Sequence, residues 1–158
     1  MHRVVVLIAF TIVAGCAGVE SPIRPIVGPA PPEFAAAPDT LEFSGQLLVL
    51  QCSLWRDFMP LTPARGGPLT VTGTVRGIDP GTMTSTIRVL ALAVVYRGEA
   101  WLARLEPGVS IPELVSVYGR GGPDWGPGVM ADVVARLRLP SGETRLLAAR
   151  GVPIAKTE

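Results

Sequence analysis

The sequence predicts an all-β domain from about residue 41 onward. Several stretches alternate apolar and polar residues with period two, which is the pattern of half-buried antiparallel strands. The 18 glycines and 16 prolines are many for 158 residues and indicate frequent turns. Strand and helix patterns do not alternate, as a doubly wound fold would require. We therefore predict an immunoglobulin-like antiparallel β-sandwich of about seven strands, in preference to a closed barrel.

Six segments carry a strand pattern. They cover residues 43–55, 69–76, 86–96, 99–105, 129–139 and 144–154. The second alternates strictly, with Leu69, Val71 and Val75 on one face. The third is apolar on both faces and is therefore expected at the centre of a sheet. The dipeptide Arg97-Gly98 predicts a two-residue hairpin turn between the third and fourth strands, and the sequence PSGE predicts a turn before the last.

One segment, residues 110–119, predicts a helix. Ser110 and Glu113 have the spacing of a capping box at a helix start. Pro112 is tolerated in a first helical turn, and Gly119 suits a helix end. We expect a short crossover helix of two turns that connects strands of opposite sheets.

The amino terminus has the pattern of a secretory signal. A short positive start precedes eleven apolar residues, 4–14, too few for a bilayer span of about 20 residues. The run ends in Val13-Ala14-Gly15-Cys16, where small residues precede a cysteine. This arrangement resembles the lipobox of bacterial lipoproteins. The resemblance implies cleavage before Cys16, a diacylglyceryl thioether on its thiol and acylation of the new amino group. An ordinary secretory signal and a short apolar helix are the alternatives.

These patterns divide the chain into three parts: a signal peptide over residues 1–15, a lipidated cysteine with a proline-rich tether over residues 16–40, and the β-sandwich domain over residues 41–158. The tether favours extended conformations of about 3.1 Å per residue. Two or three acyl chains would anchor the protein stably. Ala17 stands where inner-membrane lipoproteins tend to have Asp. By that analogy the protein lies at the outer membrane of a Gram-negative envelope, with its domain in the periplasm or at the cell surface.

Composition argues against several function classes. Removal of residues 1–15 takes Arg3 away, leaving 14 − 1 = 13 basic against 13 acidic residues, so no electrostatic attraction to nucleic acid is expected. The only histidine, His2, is removed as well. The mature chain then lacks the usual general base and the commonest metal ligand, and we predict no cofactor and no metal site. Cys52 lies in an apolar run and predicts a buried, inert thiol.

Two loops rich in glycine and proline each combine an aromatic residue, an aspartate and an arginine. The candidate binding residues are Trp55, Arg56 and Asp57 in the first loop and Arg120, Asp124 and Trp125 in the second. Large aromatic side chains in loops on a rigid scaffold are typical of binding sites, and a neighbouring Asp and Arg could hold a polar ligand. The alternative is structural: the tryptophans close the end of the core, and the Asp and Arg side chains brace the loop backbone.

The segments WRDFMP…GGPL and GPDWGPG…DVVARL, followed by a short final hairpin, resemble a group of small secreted or lipid-anchored bacterial proteins of unknown function. The resemblance covers residues 43–156. It implies a recurring domain and supplies no activity.

The function expected from these observations is that of a lipid-anchored cell-envelope protein with a non-catalytic binding or structural domain. Its expected partners are the membrane, through the anchor, and a protein of the envelope. A serine or cysteine nucleophile would lack a histidine base, and no spacing singles out a carboxylate pair for glycoside hydrolysis. The alternatives are an accessory subunit of a larger membrane complex and a hydrolase of envelope glycans.

Overall fold

A computed structural model of the protein describes residues 25–60, 62–79, 81 and 86–157. The predicted signal peptide, Cys16 and the start of the tether lie outside the described residues. The elements are β1 (Val27–Pro29), α1 (Pro32–Ala35), β2 (Thr40–Phe43), β3 (Gln46–Asp57), β4 (Leu69–Gly77), β5 (Arg88–Tyr96), β6 (Glu99–Ile111), β7 (Leu114–Gly122), β8 (Met130–Arg138) and β9 (Thr144–Thr157). Among these residues no helix is both long and apolar enough to cross a bilayer.

The sheet closes into a seven-stranded barrel in the order β6-β5-β8-β9-β3-β4-β7, with β7 pairing back to β6. The β3–β9 pair is parallel and the other pairs are antiparallel, while β1 adds to β6 and β2 adds to β3 outside the ring. The all-β prediction is confirmed, and the predicted immunoglobulin-like sandwich is corrected to a closed barrel. A sandwich has two sheets with free edges, whereas here every strand of the ring has a partner on both sides.

Two long strands, β6 and β9, close the barrel, because each pairs with different neighbouring strands along its length. Residues 99–103 of β6 pair with β5, and residues from Arg104 onward pair with β7. In β9, residues 144–153 pair with β8 and residues 154–157 pair with β3. A strand that changes sheets in this way forms a corner, and two such corners join what would otherwise be two separate sheets.

The predicted crossover helix at residues 110–119 is wrong: this segment is a β-hairpin. Strand β6 ends at Ile111 and β7 begins at Leu114, with a Pro-Glu turn between them. Val115 and Val117 are buried at alternate positions of β7, which is the period of a strand. A β-branched residue at these positions favours a strand, and pairing with both β4 and β6 outweighs a helix-capping sequence.

Other local predictions are confirmed. The Arg97-Gly98 dipeptide forms the β5–β6 turn with φ values of 51° and 80°, and Ser44-Gly45 forms the same kind of turn between β2 and β3. The PSGE sequence turns the chain from β8 into β9.

Apolar side chains fill the barrel interior. Leu69, Val71 and Val75, predicted to share one face, are all fully buried there. Trp101 is the largest of the fully buried side chains. It fits because Gly122 lies beside it: a Cβ on Gly122 would come 2.7 Å from the Trp101 ring. The interior is therefore a packed core.

The described part of the predicted tether packs on the outside of this barrel. Strand β1 pairs with the first residues of β6, and the buried Phe34 packs against Ala93, Val134 and Ala148 of β5, β8 and β9. The sequence predicts an unpacked tether up to residue 40, whereas residues 25–39 form an outer layer. The physical reason is that the outer face of β5 is apolar, and the outer layer removes it from water. The division into signal peptide, anchor and tether stays a prediction.

Arg150 ties this outer layer to the barrel. Its Nη2 donates to three carbonyl oxygens of the layer, at 2.7–3.1 Å: those of Phe34, Ala35 and Ala37. Asp39 and Asp132 hold the other nitrogens of the guanidinium through contacts of 3.4 and 3.1 Å. The layer is thus fixed by an apolar contact on one side of α1 and by hydrogen bonds on the other.

Candidate functional site

The two loops predicted to carry a binding site lie at the same end of the barrel. Residues 58–68 connect β3 to β4, and residues 123–129 connect β7 to β8. The Arg97-Gly98 turn lies at this end too, since β5 ends where β8 begins. We call these three connections the loop end. The sequence places the loops far apart in the chain, and the closed barrel brings them together.

Arg56 is the residue that joins the two loops. It follows Leu54 with the parity of the inward-facing positions of β3, and only 3% of its surface is exposed. Its guanidinium donates five hydrogen bonds, four of them to backbone carbonyl oxygens. The acceptors are Gly67 O (2.9 Å), Gly126 O (2.9 Å), Asp124 O (3.2 Å), Arg65 O (2.6 Å) and Asp124 Oδ1 (3.1 Å).

This arrangement gives Arg56 a bracing role. A guanidinium has five N–H donors, and the loop atoms occupy all three of its nitrogens. Among the described residues, the carboxylate that forms an ion pair with Arg56 is that of Asp124, and its side chain is 61% exposed. The buried contacts to carbonyl oxygens therefore carry more of the stabilisation than the ion pair does. The geometry favours the structural alternative for Arg56 and leaves Asp124 accessible from solvent.

The ring of Phe58 packs against the first loop at Gly66. Its ring centroid lies 5.3 Å from Arg56 Cζ and 5.4 Å from Lys156 Nζ, so it contacts two cationic groups. Gly66 has a φ of 81°, and a Cβ there would come 2.5 Å from the Phe58 ring. Glycine is required at this position by both the backbone conformation and the close approach.

The other two residues predicted for the first loop, Trp55 and Asp57, also lie in β3 and not in the loop. Asp57 Oδ1 accepts hydrogen bonds from Met59 N at 2.9 Å and from Thr157 Oγ1 at 3.3 Å, so it braces the start of the loop against the end of β9. Trp55 is half-buried on the outer face of β3, between Thr70 of β4 and Ala155 of β9. It is a wall residue near the loop end.

In the second loop, Trp125 packs against the ring of Tyr96. Its ring lies 5.6 Å from that of Tyr96 at an interplanar angle of 52°, and Arg97 Cζ lies 5.1 Å from the Tyr96 ring. Tyr96 and Trp125 also pack against the barrel core. Tyr96 was not among the predicted site residues, although its position just before the β5–β6 turn could have indicated it.

Arg120 lies away from this cluster. It is exposed on β7, opposite Arg104 of β6, and its guanidinium covers the ring of Tyr118 at 5.3 Å. The structure thus brings Arg56, Asp124 and Trp125 to the loop end and places Arg120 on the barrel wall.

The exposed surface of the loop end is mixed in character. The exposed carboxylate of Asp124 lies beside the half-buried Trp125, and two exposed methionines, Met59 and Met130, lie where the loops meet β3 and β8. Aromatic and methionine side chains are enriched in protein–protein interfaces. This surface therefore has the composition of a small protein-binding face.

A separate depression lies on the barrel wall beside α1. It is apolar, is lined by Phe34, Leu102 and Val134 among others, and has a volume of ≈ 220 Å³. Ligand pockets are typically about 300–1,000 Å³. The depression is thus smaller than most ligand sites. In the part of the chain that the structure describes, no three His, Cys, Asp or Glu side chains are grouped as metal ligands.

Cys52 is partly buried against the core, and the resulting desolvation raises the pKa of its thiol from 9.0 to about 12. The folded protein therefore disfavours the thiolate, which is the reactive form. In the Cys16→Ser protein, where Cys52 is the only thiol, we expect a disulfide reagent at pH 8 to modify Cys52 far more slowly in buffer than in urea. Equal rates in the two solvents would contradict burial of the thiol.

The raised pKa also makes the free energy of unfolding depend on pH. The folded pKa lies above the unfolded value, so the contribution to stability is complete below about pH 9 and is lost as the pH rises from 9 toward 12. Between pH 9 and 12 we therefore expect the free energy of unfolding to fall further in the parent than in Cys52→Ala, which has no thiol to ionise. Urea unfolding at several pH values measures the difference.

No known protein-family model matches this chain, and no curated protein sequence matches it either. The resemblance of residues 43–156 to small secreted or lipid-anchored bacterial proteins stays a prediction.

Proposed function

We propose that the chain is a lipid-anchored protein of the cell envelope whose barrel acts as a binding or structural module. The observation that carries the proposal is the sequence Val13-Ala14-Gly15-Cys16 directly after an apolar run. A signal peptidase accepts small residues before its cleavage point, and only a cysteine can take the diacylglyceryl thioether. The proposed location is the outer membrane if the envelope is Gram-negative.

The loop end supports the binding part of the proposal. Arg56 holds both loops by hydrogen bonds to the carbonyl oxygens of Gly67, Gly126 and Arg65, so these positions lose little conformational freedom when a partner binds. Trp125, Met59 and Met130 supply apolar contacts, and the exposed carboxylate of Asp124 supplies a polar one. A protein of the envelope is the partner that fits this mixed surface best.

The anchor is tested by metabolic labelling with radioactive palmitate. We expect the parent protein to carry the label and Cys16→Ser to lose it completely, because the other cysteine, Cys52, does not follow a lipobox-like sequence. Cys52→Ser is the matched control and is expected to keep the label. Mass spectrometry of the parent should show an acylated amino-terminal cysteine. A parent protein that begins at another residue without acyl chains would refute the proposal.

A further inference from the structure

We propose that the depression beside α1 binds a single-chain amphiphile with an anionic head, of the fatty-acid class. The alkyl chain lies in the depression, and the head lies among arginines at its rim. The site is on the wall of the barrel, apart from the loop end. The proposal goes beyond the binding face described above and does not depend on the lipidation of Cys16.

The depression has apolar walls that are partly open to water. Two small residues of β5, Ala91 and Ala93, leave room on the outer face of the sheet, and Phe34 of α1 and Leu102 of β6 also line the space. Leu102 is 53% exposed, although it lies beside these apolar residues. An alkyl chain in the depression would take this surface out of water, which stabilises the bound state.

The size of the depression fits a narrow chain. A water molecule takes up about 30 Å³ in the liquid, and a methylene group is of similar size. The volume of ≈ 220 Å³ therefore admits roughly seven such groups. A bulky, drug-sized ligand would not fit, whereas most of a medium-length alkyl chain would, with its head at the rim.

Four arginines lie around this space, and we call them the rim arginines. Arg136 of β8 is itself a lining residue, and Arg138 lies two residues farther along the same strand. Arg88 of β5 pairs with Arg138, and Arg104 lies two residues beyond Leu102 on β6. Two residues of a strand span about 7 Å, so a long arginine side chain at each of these positions can reach the rim.

The burial pattern places the rim arginines on the same face of the sheet as the depression. In β8, Leu137 is fully buried, while the arginines before and after it are exposed. In β6, Ala103 is buried, while Leu102 and Arg104 on either side of it are exposed. Successive side chains of a strand point to opposite faces, so these arginines point outward, as the lining residues do.

Positive charge exceeds negative charge at the rim. Glu33 Oε1 lies 3.8 Å from Arg136 Nη2, and both side chains are about half exposed, so this ion pair is weak. Glu106 is a second acid on this face, two residues beyond Arg104. The other rim arginines form no ion pair with any residue that the structure describes: Arg88, Arg104 and Arg138.

The pairing of β5 with β8 brings two of these charges together. Arg88 is directly opposite Arg138 in the register of the two strands. Like charges at such positions destabilise a sheet, so the fold gains nothing from this pair. An anion between them would remove the repulsion, and a guanidinium binds a carboxylate through two parallel hydrogen bonds. The combination of an apolar depression with unpaired arginines therefore indicates a ligand that has both an alkyl chain and an anionic head.

The test uses decanoic acid that carries a photoreactive diazirine in its alkyl chain. The mature protein is mixed with phosphatidylcholine vesicles and the probe, irradiated, digested and analysed by mass spectrometry. We expect the labelled peptides to contain lining residues such as Leu102 and Leu146, and an excess of plain decanoate to remove most of this label. The amine analogue of the probe has a positive head and is expected to label these peptides about tenfold less.

The contribution of the head is tested by removing two rim arginines. We expect Arg88→Gln combined with Arg138→Gln to lower the labelling about five- to tenfold. The double variant should be at least as stable as the parent, because the two like charges no longer face each other. Arg65→Gln combined with Arg97→Gln is the matched control, since it removes the same charge from exposed arginines outside the site and is expected to keep the labelling.

The contribution of the chain is tested at Leu102. We expect Leu102→Gln to lower the labelling about fivefold, because it removes apolar contact without a change of charge. Leu47→Gln is the matched control elsewhere on the barrel: Leu47 is 45% exposed and Leu102 is 53% exposed, so neither substitution disturbs the core.

Four results would overturn the assignment. They are labelling of Leu102→Gln equal to that of Leu47→Gln, equal labelling of the two double arginine variants, equal labelling by the acid and amine probes, and label spread over the barrel that decanoate does not displace. A dimer in sedimentation whose interface covers the depression and excludes the probe would overturn it too. Each of these results leaves the lipid anchor and the loop end as they stand.

Discussion

Replacement of Arg56 by alanine is expected to lower the free energy of unfolding by about 3–4 kcal/mol. The substitution leaves carbonyl oxygens of both loops without their donor, among them those of Gly67 and Gly126. It also leaves a void at the end of the packed core, because Arg56 is almost completely buried. The exposed carboxylate of Asp124 is solvated and adds little to the loss.

Urea unfolding followed by circular dichroism measures this change. Arg65→Ala is the matched control: Arg65 lies in the same loop and its carbonyl oxygen accepts from Arg56, but its side chain is exposed. It removes the same charge and is expected to change stability by less than about 0.5 kcal/mol. Arg56→Lys keeps the charge with three donors in place of five and should fall between the two. A stability of Arg56→Ala equal to that of Arg65→Ala would show that the guanidinium does not brace the loops.

The bracing role of Arg56 was one of the two alternatives that the sequence offered, whereas its place in β3, in a segment predicted as a loop, and its acceptors were not predicted. Leu48, Leu50 and Leu54 have the parity of the inward face of β3, and Arg56 continues that parity. Parity alone predicts a buried arginine that needs acceptors. It does not tell that the acceptors are carbonyl oxygens of two loops, because these come from positions as far apart as Arg65 and Gly126 and meet only in the closed barrel.

The wrong helix and the missed barrel have one cause. The strand predicted over residues 99–105 is in fact β6 (Glu99–Ile111), and its added residues, 106–111, were assigned in part to the helix. These residues contain Pro107 and Gly108, which weaken a strand pattern. They also carry most of the β6–β7 pairing that closes the ring. Once this segment is assigned to a helix, the remaining strands have free edges, and a sandwich is the natural prediction.

The sequence contained an indication of the outer layer, although the period-two patterns that identify strands do not reveal it. Strand β5 is apolar on both faces, and the interior of a barrel can cover only one of them. The outer face of β5 therefore needs another element, and Phe34 is the one aromatic residue of the proline-rich segment. Proline content indicates extended chain, but it does not prevent such a chain from packing when a single large apolar side chain finds a matching surface.

Phe34→Ala is accordingly expected to lower the free energy of unfolding by about 3 kcal/mol. Phe34 is 7% exposed, and its removal uncovers Ala93, Val134 and Ala148. Ile26→Ala is the matched control in the same segment. Ile26 is 81% exposed, so that substitution is expected to have an effect of less than about 0.5 kcal/mol. Urea unfolding of the two variants beside the parent gives the comparison.

Under the proposed lipidation of Cys16, the outcome also limits the distance between the barrel and the membrane. If residues 25–39 are part of the folded domain, the eight residues 17–24 separate it from Cys16, and the 25 − 16 = 9 steps of chain from Cys16 to Pro25 reach at most about 30 Å. If Phe34→Ala and Ile26→Ala are equally stable, the outer layer contributes nothing, and the tether extends to Thr40. It would then have 40 − 16 = 24 residues and span roughly 75 Å at about 3.1 Å per residue. The stability of Phe34→Ala relative to Ile26→Ala therefore distinguishes the short tether from the long one.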